Sequence, residues 1–163
     1  MKTLARHKDQ AEILERLRRV SPQSVARWGR MSAHQMICHL YDAVRMAMGE
    51  QPVTPATGVL QRTLVKWIAL YVPLPWPGGR IRTSPEIQQP IGGDGGDGRD
   101  GGGTAPTDFA SDVARLLELL DRVTATPRTF EWAPHPIFGM MSEAAWLRWS
   151  YLHLDHHLRQ FGA

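Results

Sequence analysis

The chain has 163 residues, 42% of them apolar, enough for one compact domain over 1–163 that buries roughly 70% of its unfolded surface without disulfide staples. Its single cysteine, Cys38, excludes an intrachain disulfide and reads as a small buried hydrophobe in a reducing cytoplasm. The net charge of +3 is uneven, with bases from Lys2 to Arg30 crowding the start. They alternate with Asp9, Glu12 and Glu15 and lack interleaved aromatics, which favours a solvated helix face over a nucleic-acid surface.

Leu4, Ala11, Leu14 and Leu17 recur every three or four residues and predict a first helix over 4–20, broken by Ser21-Pro22. Its basic start leads into charged amphipathic sequence instead of an apolar run, so no secretory leader is expected. Ser32 is a suitable N-cap for a second helix over 33–48, striped by Met36, Leu40, Ala43 and Ala47 with His39 at the stripe's edge. A third helical pattern covers 56–72, with Leu60, Leu64, Ile68 and Tyr71 or Val72 expected to face inward before a Pro-rich stop at 73–79. The longest apolar run, 67–76, is interrupted by Pro73 and Pro75 and falls short of the ~20 residues a spanning helix needs, so no membrane segment is expected.

Residues 92–103 hold eight glycines and four charged residues and read as a flexible Gly/Asp-rich loop. A phosphate cradle there would need a Gly-Lys-Ser/Thr ending, and a calcium loop a closing glutamate; both are missing. Thr107 is expected to cap a fourth helix over 108–124, whose Phe109, Val113, Leu116, Leu117 and Leu120 follow the helical period. Pro127, Pro134, Pro136 and Gly139 make 127–141 a connector, with a short extended piece at 128–132. Ser142 starts the last helix, 144–161, which Gly162 closes. No stretch alternates as a half-buried strand does, so the pattern is all-α.

On that last helix His153 and His157 stand ~40° apart around the axis and ~6 Å apart along it, so both can reach one ion. Trp146, Trp149 and Gln160 lie within ~60° of them. Such a pair also occurs as ordinary helix histidines with satisfied hydrogen bonds. A third histidine, His39, on the inward edge of another helix turns the pair into a candidate centre, because facing helices of a bundle focus ligands on one point. Three neutral imidazoles suit zinc, nickel or iron and leave a position for water or substrate. A zinc-protease helix needs glutamate beside its first histidine, and here Leu154 stands there. His156 points ~60° away from His153 and ranks as a neighbour. Asp42, one turn past His39, either takes a ring N–H or is a surface carboxylate. Arg159, or Arg80 with Arg82, could hold an anionic group of a ligand.

The stretch Met31-Ser32-Ala33-His34-Gln35-Met36-Ile37-Cys38-His39-Leu40-Tyr41-Asp42-Ala43, with the terminal His-x-x-His-His-x-x-Gln at 153–160, resembles the DinB-like (YfiT-like) superfamily of metal-dependent proteins. His135-Pro136-x-Phe138-Gly139, Trp146 and residues 152–160 are similar to a bacterial branch of it whose function is unknown. The resemblance implies a four-helix bundle, up-down-down-up, with an extra short helix or connector, often dimeric. It implies a divalent ion on His39, His153 and His157, with His34, His135 and His156 outside the ligand set. Its characterised members include thiol S-transferases and a thiol-dependent isomerase. By that resemblance a low-molecular-weight thiol would meet an electrophilic small molecule in a pocket walled by Trp146, Trp149 and Tyr71 or Met36. Two other classes fit the same residues: a non-catalytic metal- or ligand-binding sensor or stress protein, and a metal-free helical interaction module. A homodimer through the face bearing Trp67, Leu70 and Tyr71 is also expected.

Overall fold

A computed structural model gives the architecture and describes residues 1–56, 58–72, 75–76, 85–87 and 102–163. Among the described residues five α-helices follow in order: α1 (His7–Arg18), α2 (Ala33–Ala47), α3 (Lys66–Tyr71), α4 (Phe109–Thr124) and α5 (Glu143–Gln160). A π-helical turn, Gln61–Val65, runs into α3, and a 3-10 turn, Pro85–Ile87, lies against α2. Among the described residues there is no strand, and the 128–132 segment is bends and coil; an isolated antiparallel bridge joins His135 to Gly139. Residues 92–101 of the glycine-rich segment, and Arg80 and Arg82, lie outside the described residues. Among the described residues no helix is long and apolar enough to cross a membrane.

The helix starts follow local chemistry. The Ser32 hydroxyl accepts from the Gln35 N–H (3.1 Å) while the Gln35 side chain accepts from the Ser32 N–H (2.8 Å), a reciprocal capping box. Ser142 accepts from the Ala145 N–H at the start of α5, and Gly162, at φ +76°, follows its end. At α4 the expectation is corrected. The cap is Asp108, extended at φ −121°, which accepts from the Ser111 N–H at 2.9 Å, whereas Thr107 turns its N–H and hydroxyl onto Asp112.

Four helices share the main core: Ile13 and Leu17 of α1, Met36 and Leu40 of α2, Leu116 and Leu120 of α4, and Leu154 and Leu158 of α5 are all buried. A second cluster joins Ala43 and Met46 of α2 to Leu70 of α3, Phe138 and Met141 of the connector, and Trp146 and Trp149 of α5. α5 therefore touches α1, α2 and α3 and is buried around most of its circumference, which explains how a helix rich in His, Asp and Arg lies at the centre of the protein.

The third helical pattern faces the opposite way from its expectation. Leu60, Leu64, Ile68 and Tyr71 are 43–58% exposed, and Leu70 carries the burial at 1%. The reason is a tether that the apolar period cannot report. Arg148 of α5 donates to the Leu70 carbonyl at 2.9 Å and also to the Lys2 carbonyl, fixing which side of α3 meets the core. Of the three residues expected on a dimer face, Leu70 is thus buried, while Trp67 and Tyr71 are exposed.

Candidate metal centre

α2 and α5 pack together, and their facing sides bring His39, His153 and His157 into one cluster. The ring centroids are 5.1 Å apart for His39 and His153, 4.7 Å for His39 and His157, and 4.8 Å for His153 and His157. Each offers a nitrogen, and the three nitrogens lie within 4.8 Å of one another. His39 Nε2 and His153 Nε2 are 3.2 Å apart. Two imidazole nitrogens sharing a tetrahedral cation at ~2.1 Å would stand about 3.4 Å apart, so this pair needs almost no movement to take one.

The outer hydrogen bonds decide which nitrogen points inward. His39 Nδ1 lies 3.1 Å from the Ile87 carbonyl, which can only accept, so Nδ1 carries the proton and Nε2 presents its lone pair. Gln160 does the same for His157. Its Nε2 donates to the Trp28 carbonyl at 2.8 Å, which leaves Oε1 to accept from His157 Nδ1 at 2.9 Å and turns His157 Nε2 toward the cluster. Gly29 makes this approach feasible: a Cβ there would stand 2.8 Å from Gln160 Nε2, and its φ of +80° suits glycine. Two of the three candidate ligands are thus oriented by the kind of outer partner that metal-binding histidines use.

Burial keeps the three rings neutral. It lowers His39 below the ordinary histidine value, and it drives His153 and His157 well below that value, with the neighbouring imidazoles adding to the effect. His153 keeps partial exposure, yet Trp149 stacks on its ring at 4.6 Å and Trp76 flanks it at 6.3 Å. Neutral, inward-aimed nitrogens in a largely dry cluster are the donor set a borderline divalent cation requires.

The other residues singled out from the sequence take varied places. Trp149 forms the wall against His153, while Trp146 lies one ring behind it, fully buried and stacked on Trp132 at 5.6 Å. Met36 is in the main core. His156 packs between Trp28 and Trp76, outside the triad, its Nδ1 buried with no hydrogen-bond partner among the described residues. Asp42 accepts from the Thr104 N–H (2.7 Å) and hydroxyl (2.5 Å), and the N–H of His39 goes to Ile87. Arg159 sits 3.0 Å from Asp155. Sequence reasoning missed Ile87, Trp28 and Trp76. The first two act through backbone carbonyls, which leave no trace in residue identity, and Trp76 is signalled only by its Pro-Trp-Pro setting.

A second cluster joins His34, Cys38 and Asp112. Its chemistry is that of a structural clamp. Asp112 accepts from Thr107 N–H (2.9 Å), His34 Nε2 (2.8 Å) and Arg115 (3.3 Å), and Cys38 lies 3.8 Å away. Burial would raise the Asp112 carboxyl, but the Thr107 and His34 bonds outweigh it and hold it below its usual range. Burial, with Asp112 beside it, pushes the Cys38 thiol up to about 12, so it stays protonated.

A family profile described as "Protein of unknown function (DUF1569)" matches residues 2–163. No curated protein and no solved structure matches the chain.

Proposed function

The chain belongs to the DUF1569 family, whose description names no activity, and from the site we propose that it is a divalent-metal-binding protein of DinB-like kind: a four-helix bundle whose His39, His153 and His157 hold one zinc, nickel or iron ion. The observation that carries this reading is the pair of outer bonds, Ile87 carbonyl to His39 and Gln160 to His157, which present two bare nitrogens toward the third histidine. A neutral imidazole that donates from Nδ1 always has a bare Nε2; what supports the ion is that the bare nitrogens of both rings are held toward the same third histidine.

The proposed activity is thiol-dependent S-transfer or isomerisation on a small electrophile. A bound divalent ion supplies Lewis acidity and lowers the pKa of a thiol or water in its open position. The protein's own residues do the rest. Trp149 and Trp76 shield the His153 side from water, and Gln160 and the Ile87 carbonyl hold two imidazoles in fixed tautomers. No protein carboxylate is assigned as base.

Elemental analysis of purified protein tests the metal reading. About one ion per chain is expected, falling to near zero in His39→Ala, His153→Ala and His157→Ala while circular dichroism stays helical. An ion retained by all three variants overturns it. The transferase reading is tested separately by thiol consumption with a model electrophile, and a rate no higher than that of His153→Ala removes it while leaving the metal site standing. A second reading, a metal-free module, draws on the same 3.2 Å contact, since His153 Nε2–H donating to His39 Nε2 satisfies both rings without an ion. It predicts no stoichiometric metal after growth in metal-replete medium.

A further inference from the structure

On the far side of Trp149 from the histidine triad lies a groove of about 440 Å³ between the helical stretch carrying Arg62 and Lys66 and the Pro134–Met140 turn. That volume falls within the range of small-molecule sites. Its walls combine an apolar floor, including Pro136, Phe138 and Met140, with two cations one helical turn apart. No carboxylate lines it among the described residues. Gly139, at φ +65°, supplies the turn at one edge, and the Arg62 stem lies beside it. Lys66 reaches over to the Met140 carbonyl at 3.4 Å.

A third polar group meets the same groove. His135 lines it and is 4% exposed, and its Nδ1 accepts from both the Ile137 N–H (3.1 Å) and the Phe138 N–H (3.2 Å). A nitrogen accepting two N–H bonds carries no proton, so the proton sits on Nε2, and no acceptor for Nε2–H is found among the described residues. That N–H and the two cations give the groove three donors, which an acceptor on a ligand can meet together.

We infer that this groove binds a small molecule with an anionic head and an apolar body, the head held by Arg62, Lys66 and His135 Nε2–H and the body lying on Pro136, Phe138 and Met140. The site is separate from the histidine triad, but only one ring divides them: His135 meets Trp149 at 5.0 Å, and Trp149 stacks on His153 at 4.6 Å.

Isothermal titration calorimetry on chelator-treated full-length protein tests this without reference to the metal. The probes are hexanoate and hexyl phosphate, with hexanol, hexylammonium and acetate as controls. Saturable binding of hexanoate or hexyl phosphate is expected, the better of the two identifying the head group. Hexanol, hexylammonium and acetate are expected to bind at least about tenfold more weakly, since a charge-assisted bond and an apolar contact are each lost. Arg62→Gln and Lys66→Gln are each expected to weaken the anion about tenfold. Arg62 is exposed and Lys66 half-buried, and circular dichroism checks that both variants keep the fold. No saturation below about 10 mM, equal binding of hexanol, or unchanged affinity in the double variant would overturn the inference.

Discussion

Gln160 is the residue whose side-chain chemistry matters most at one remove from the candidate centre. Its amide links the Trp28 carbonyl to His157 Nδ1, so losing it frees the ring to rotate and to take the other tautomer. Gln160→Ala is expected to weaken metal binding by roughly ten- to a hundredfold, read by competition with a chromogenic chelator, with the stoichiometry unchanged. A change in stoichiometry instead would mean that the ring had left the site altogether. His135 is the residue for a pH prediction. Burial lowers it from 6.5 to about 3, so the folded protein keeps it neutral while the unfolded chain protonates it below about 6.5. Unfolding therefore takes up a proton in that interval. The stability this histidine allows is fully present above pH 6.5 and falls by about 1.4 kcal/mol per pH unit as the pH drops toward 3. In His135→Asn the amide oxygen can still accept from the turn. Urea titrations between pH 7.5 and 5 should show a shallower loss than the parent by about that slope, and parallel curves would refute the assignment.

Among the elements, α4 shows how one residue of displacement in a cap changes which side chains matter. Asp108→Ala removes the oxygen that accepts from the Ser111 N–H and is expected to cost about 1 kcal/mol by denaturant unfolding. Thr107→Val acts through a different partner, since it deletes a hydroxyl bond to the buried Asp112 and leaves the cap intact. The two sites are neighbours at one helix end and Asp108 interacts with Asp112, so a double-mutant cycle is expected to show the losses departing from additivity. The sequence shows that α4 starts near 107–108, because capping residues and the apolar period are local signals. It does not show which of two adjacent oxygen-bearing side chains turns inward, because that depends on Asp112 being pinned by His34 from α2. α3 makes the same point more strongly. The apolar stripe of the stretch running into it, Leu60, Leu64 and Ile68, is a real amphipathic period, yet it faces outward because Leu70 packs into the second cluster while Arg148 holds its carbonyl.

For the molecule as a whole, an ion at the triad would join α2 to α5, the helix at the centre of the core. Binding only the folded state stabilises it by mass action, about 4 kcal/mol at a free concentration a thousand times Kd. Chelation of the loaded protein is therefore expected to lower Tm by about 10 °C in scanning calorimetry, and no shift in a protein shown to contain the ion would place the metal elsewhere. The sequence by itself determined the all-α class, the approximate spans of α1, α2, α4 and α5, the Ser32 and Ser142 starts, and the turn-spaced pair His153 and His157. Each of these is written in neighbours three to five residues apart, within reach of helical period and capping chemistry. It also marked His39 and Gln160 as residues of interest. Only the tertiary structure decided that His39 meets the pair, that His39 is oriented by a carbonyl 48 residues away, and that Gln160 is oriented by one 132 residues away. A backbone carbonyl is common to every residue, so its selection as a partner is set by how the helices pack and by nothing that a residue's identity records.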